Sequence, residues 1–306
     1  MPRSLVQTKG SHVSLDLTLE QFFRLRTTIA DEATRAHYRR AVHWLGESIG
    51  RPAKLSDLTD DNLAGLLVWL VQTRGQQATT ANGAHKCLSS LWRWAHNRGL
   101  KSTGPTVKAL RTPQRVPRAW RRDELTRLIT AARQSPGSIC GIPARVWWVC
   151  LFALEWDTGC RAGELLSLRW EWLDDSTGWI VAPAEVRKGK LRDAAYGLTP
   201  STLEALRPIR LPVGLILRWE MHRSRYWQLW NELLDRAGLP RGRAFKTQAL
   251  RRSFASWLKV GGGDATAACG NGSQAMTARH YLDPALTQQR HGDDMPFHVL
   301  ELGESS

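Results

Sequence analysis

The chain has little with which to build a covalent or metal-bound framework. Its five cysteines (Cys87, Cys140, Cys150, Cys160, Cys269) are odd in number and widely spaced, with no C-x-x-C pair, which argues against a disulfide scaffold or a zinc site. No acidic cluster stands at metal-ligand spacing. Gly261, Gly262 and Gly263 lack the Lys-Ser/Thr pair of a phosphate loop and read as a turn between helices. No metal, no cofactor and no small-molecule substrate is therefore expected. There is no run of about 18 apolar residues to span a membrane, and the opening MPRSLVQTKGSHVSLDL lacks the apolar core of a signal peptide. Together these absences predict a cytoplasmic protein with no membrane partner. Acidic residues are scarce as well: 28 Asp and Glu stand against 43 Lys and Arg. Tyrosine is rare, with four in the chain, and Tyr281 is the only one after Tyr226.

What is present fits a two-domain protein with a polyanionic partner. A chain of 306 residues with 42% hydrophobic content can fill two cores. The net charge of +15 exceeds what solubility requires and points to nucleic acid, with a generally basic composition as the bland alternative. Fifteen tryptophans are many for this length. Spacings such as Leu91, Trp92, Trp94 and Ala95 place them mostly in helical cores.

Residues 14–105 read as four amphipathic helices. Thr18 is the expected cap of the first (Leu19, Phe22, Phe23, Leu25), and Tyr38, Ala41, Val42, Trp44 and Leu45 mark the second. Thr59 and Asp60 open the third, and the fourth runs from about Ala81 to Asn97 before Gly99. Arg24, Arg26, Arg35, Arg39, Arg40, Lys86, Arg93 and Arg98 either line a phosphate-facing side or are scattered surface charge. Residues 106–120, with prolines, basic residues and no apolar period, read as a basic linker, its boundary near Pro113 to Pro117.

From 121 to 306 helical patterns resume. A helix over Val146 to Trp156 leads into DTGCRAGELLSLRW, where Gly159 ends one helix and Arg161 begins the next. Free N–H groups at that start favour an anion, whereas an ion pair with Glu164 is the structural alternative. TGWIV and RDAAYGL flank VRKGK and predict a hairpin tipped by Lys188, Gly189 and Lys190. Exposed hairpin lysines are usually solvation. Residues 200 to 238 return to helix. Arg251 then heads an apolar helical run, thirty residues before Tyr281. A guanidinium holds two oxygens of one phosphate in a fixed fork, and a phenol can attack phosphorus to leave a covalent ester. The pair suggests phosphoryl transfer. The tail from Ala285 to Ser306 is either a docking segment or a loose end.

In this order the pieces resemble the tyrosine recombinase (phage integrase) family. TGCRAGELLSLRW is similar to the family's first arginine box and assigns that role to Arg161. The second box, His-x-x-Arg-His in the family, corresponds here to Gln248, Ala249, Leu250, Arg251 and Arg252; the Leu-Gly-His turn corresponds to Cys269, Gly270 and Asn271. The nucleophile falls on Tyr281 in MTARHYLDP, and Lys188, with Lys190 as the alternative, matches the hairpin lysine.

The resemblance implies a mainly α fold: a four-helix, SAM-like core-binding domain over 14–105, a linker, and a mainly α catalytic domain with a small β-hairpin sheet over 121–306, the DNA breaking-rejoining fold. It implies site-specific cutting and rejoining of double-stranded DNA, as in integration, through a 3′-phosphotyrosyl bond by a homo-tetramer on synapsed DNA. Gln248 and Asn271 stand where the family commonly has histidine, or tryptophan at the latter; neither amide titrates near neutral pH, so these positions are expected to orient oxygens rather than move protons. The competing readings are a decayed, site-specific DNA-binding protein of the same fold, a type IB topoisomerase, and a helical scaffold without a nucleic-acid role.

Overall fold

The computed structural model describes residues 13–26, 31–187 and 192–288. Its contacts divide the chain between Gln114 and Arg115 into two units. In unit 1, helices α1 (Leu15–Leu25), α2 (Glu32–Ser48), α3 (Asp60–Gln72) and α4 (Ala78–Asn97) enclose one core. Side-chain oxygens satisfy the free N–H groups at three of the starts: Ser14 for α1, Asp31 for α2 and Thr59 for α3. The first helix begins a turn earlier than its sequence suggests. Thr18 is buried inside it, and its hydroxyl donates to the Ser14 carbonyl at 3.1 Å. Phe22 and Phe23 pack on Tyr38, with ring centroids 5.3 and 5.9 Å apart.

The linker expected over 106–120 is largely absorbed by its neighbours. Val107 and Leu110 pack on the core of unit 1, and Asn82 exchanges two 2.8 Å hydrogen bonds with the backbone of Leu110. At its other end Ala119 and Trp120 are fully buried in unit 2, their N–H groups held by Asp283 and Ser253. Only 111–116 is continuously exposed.

Unit 2 contains α5 (Arg122–Arg133), the short strands β1 (Ser138–Ile139) and β2 (Ile142–Pro143), α6 (Ala144–Thr158) and the single turn α7 (Ala162–Leu165). Next come β3 (Leu173–Asp174), β4 (Trp179–Ala182), β5 (Ala194–Gly197), α8 (Pro200–Leu206) and α9 (Arg223–Arg236). The chain continues through α10 (Gln248–Val260), α11 (Ala265–Ala268), α12 (Gln274–His280) and α13 (Pro284–Thr287). Strands β3, β4 and β5 form an antiparallel sheet in that order, with Ile180 facing Tyr196 across the hairpin. The core is aromatic: Trp120, Trp147, Trp170 and Trp230 are essentially inaccessible.

Residues 200 to 238 are not helical throughout. Pro208, Pro212 and Gly214, the last at φ 105°, interrupt the pattern, and Trp219 and Met221 reach the core from irregular backbone. Among the described residues, no helix is long and apolar enough to cross a membrane.

Candidate phosphoryl-transfer site

The α6–Gly159 turn and α10 build the centre of the site. Gly159 closes α6 in the left-handed region, at φ 56°. A Cβ there would lie 2.3 Å from the Phe254 ring, so only glycine lets α10 approach this closely. That approach brings Arg251, 1% exposed, against the turn. One Nη donates to the Gly159 carbonyl and the other to the Cys269 carbonyl. A guanidinium has five N–H donors, and the Nε–H of Arg251 is buried without a partner among the described residues.

The Tyr281 ring lies beside this guanidinium, its centroid 5.2 Å from Cζ. Ser256, also on α10, fixes the backbone there: its hydroxyl donates to the Tyr281 carbonyl at 3.2 Å and accepts from the Asp283 N–H at 2.9 Å. One helix thus carries the arginine and anchors the tyrosine.

Arg161 caps α7 and pairs with Glu164 at 3.2 Å. The Glu164 carboxylate also accepts the Arg161 backbone N–H at 3.1 Å, so the expected anion site at this helix start is already filled by the protein's own carboxylate. The charge of Arg161 reaches Cys269, and that of Glu164 reaches Arg251. Burial works against the charge on Arg251. Cys269, Tyr281 and Glu164 offset it, and the pKa lies above that of a free arginine. Burial pushes the Cys269 thiol up, against the pull of Arg251 and Arg161.

Gln248 is exposed on the first turn of α10, one turn before Arg251. Asn271 is half-buried, and its Nδ2 donates to Thr277 Oγ1 at 3.1 Å, so its amide nitrogen serves α12. Lys188 and Lys190 lie outside the described residues, as does the tail beyond 288.

Two neighbours of the site carry no motif of their own. Arg187 Nη1 donates to the carbonyls of Arg192 at 2.8 Å and Asp193 at 3.0 Å, closing the base of the hairpin. Glu155, on α6, is 2% exposed, and its Oε2 has no hydrogen-bond partner among the described residues. Burial pushes its carboxyl well above the usual carboxylate range, although Arg251 pulls the other way. Arg187 was visible only as one more charge in VRKGK; Glu155 was visible as one of two acids, with Asp157, near the end of an otherwise apolar helix.

No protein-family model matches the chain. A curated relative from Escherichia coli strain K12, described as the defective protein IntQ, is 24% identical over 207 residues, 62% of this chain and 49% of that protein. The chain spans about half the length of that relative. Among solved structures, a lambda integrase tetramer bound to a Holliday junction superposes with a TM-score of 0.70 at 19% identity, covering 95% of this chain and 82% of that one. A lambda integrase dimer bound to a COC′ core site gives 0.68 at 20% identity, covering 91% and 99%. The Tn1549 transposon integrase in complex with circular intermediate DNA gives 0.67 at 13% identity, covering 88% and 95%. At these identities the likeness concerns architecture. With a helical unit 1 and a helical unit 2 built around a small antiparallel sheet, the chain has the fold of the tyrosine recombinases.

Proposed function

We propose that the protein is a site-specific DNA recombinase that cuts and rejoins double-stranded DNA through a 3′-phosphotyrosyl intermediate. The observation that carries this reading is the Tyr281 ring held 5.2 Å from the buried guanidinium of Arg251. In the reaction, Tyr281 Oη loses its proton to water and attacks the scissile phosphorus. The bond from phosphorus to the 5′ oxygen breaks, and that oxygen takes up a proton. Lys188 (or Lys190) fills the donor's role by resemblance. Arg161 and Arg251 stabilise the negative charge that spreads over the non-bridging oxygens, while Gln248 and Asn271 act by hydrogen bonding alone. The ester conserves the bond energy, so a 5′-hydroxyl from a second duplex can rejoin the strand without ATP. The lambda integrase tetramer on a Holliday junction supports a homo-tetramer as the working assembly.

A second reading has specific support. The curated relative is described as defective, and the Asn271 amide nitrogen is already bonded to Thr277. A decayed protein of this fold would bind DNA at a defined site and leave no covalent product.

Nicked suicide duplexes carrying the attachment site, recovered by selection from random DNA, separate the two readings. The wild type is expected to form a denaturation-resistant protein–DNA adduct and Tyr281→Phe none. An adduct with Tyr281→Phe, or none with the wild type, overturns the catalytic reading.

A further inference from the structure

Three guanidiniums act on the turn Cys269–Asn271. Arg251 binds the Cys269 carbonyl at 2.6 Å, and the charge of Arg161 reaches the same residue. Arg187 comes from the sheet side: a Cβ on Gly270 would lie 3.0 Å from its Nη2. Gly270 also sits at φ 59°. A side chain there would be strained and would press on the guanidinium, so glycine leaves the space that Arg187 uses. Among the described residues, Glu164 is already paired with Arg161, and the Asp193 carboxylate at the hairpin base accepts the Ala184 N–H at 2.8 Å. Glu155, the other acid near Arg251, is pushed toward its neutral form by burial.

We propose that Arg187 is a third phosphate-binding guanidinium of this site, contacting a non-bridging oxygen of the scissile phosphodiester beside Asn271. Its Nη1 is fixed by the carbonyls of Arg192 and Asp193, which orients the planar group in advance. Its Nε is buried and has no hydrogen-bond partner among the described residues. A permanent cation here supplies charge beside a position that holds an amide, and it does so without titrating. The inference rests on the recombinase reading, since that reading supplies the phosphodiester.

The test compares adduct formation on a suicide duplex with a normal scissile phosphate and on one with a methylphosphonate there, which lacks the charged oxygen. Arg187→Gln keeps a polar amide but is shorter and has no charge; Arg187→Lys keeps the charge without the fork. On the phosphodiester, Arg187→Gln is expected to slow adduct formation by about 10²–10³-fold, the loss seen when one oxyanion donor is removed, and Arg187→Lys less. On the methylphosphonate, Arg187→Gln and wild type are expected to react at similar rates. An equal loss on both duplexes makes Arg187 a hairpin clip only, and no loss on the phosphodiester removes its role; either overturns the proposal. If the wild type forms no adduct at all, the recombinase reading fails, and binding tests Arg187 separately. Loss of one phosphate contact lowers the slope of log affinity against log salt by about one. An unchanged slope for Arg187→Gln overturns the proposal in that case too.

Discussion

Arg251 holds the backbone of two segments together as well as facing Tyr281. Its nitrogens join the Gly159 turn to Cys269, so its removal strands two buried carbonyls. An ammonium is a point donor and cannot span both with a planar fork. Arg251→Lys is therefore expected to lower both the melting temperature and the adduct rate, the latter by about 10²-fold or more, measured by thermal unfolding and suicide-substrate assays. Glu155 gives a different signature. Its folded pKa is raised by burial, so the folded state holds its proton where the unfolded chain has released it. The associated stability is present below the ordinary carboxylate pKa and is lost as pH rises toward the folded value. Glu155→Gln keeps the shape without the titration. Its melting temperature should match the wild type below the ordinary carboxylate pKa and exceed it by a growing margin as pH rises above that value. A constant offset across pH would show that Glu155 does not titrate in this way.

Among the elements, α10 has the largest share in shaping the site. Ser256 satisfies the Asp283 N–H and holds the Tyr281 carbonyl. Ser256→Ala should cost about 1–3 kcal/mol by leaving a buried donor unsatisfied, and it should slow adduct formation while DNA affinity is unchanged. The crossing of α10 and α6 depends on Gly159. Gly159→Ala combines left-handed strain of roughly 1–3 kcal/mol with a collision against Phe254. Urea unfolding should show a loss that Phe254→Ala in the same chain partly relieves at this position, since the collision goes and the strain stays. Gly270→Ala is the corresponding perturbation on the other side of the site, because its methyl would press on Arg187 Nη2 at 3.0 Å.

At the scale of the whole molecule, two hydrophobic clusters lie on either side of the Gln114–Arg115 division. The exposed stretch 111–116 carries Arg111 and Arg115. Limited trypsin treatment should cut there first and leave two protected fragments, read by mass spectrometry; cleavage within α2 or α10 at the same rate would contradict this division. Basic residues also concentrate locally in unit 1. Arg26, Arg93 and Arg98 line an open groove of about 700 Å³ with Trp94, while Arg39 is paired with Glu20 and Glu32. Of the eight basic residues singled out in this unit, these three share one surface. With phosphate contacts of this kind, DNA affinity should fall by orders of magnitude between 50 and 200 mM salt, and affinity indifferent to salt would remove nucleic acid as the partner.

The sequence by itself determined the helices with full apolar stripes, the cap at Thr59 and the two strands that flank VRKGK. Periodicity and capping act within a few residues, so they are visible locally. Tertiary structure alone decided that Trp120 belongs to unit 2, that residues 210–222 are irregular, and that Glu164 fills the start of α7. It also decided that the buried Glu155 feels the charge of Arg251 and that Arg187 approaches Gly270. These depend on contacts between residues far apart in the chain, where burial removes water and makes each charge and each missing Cβ count.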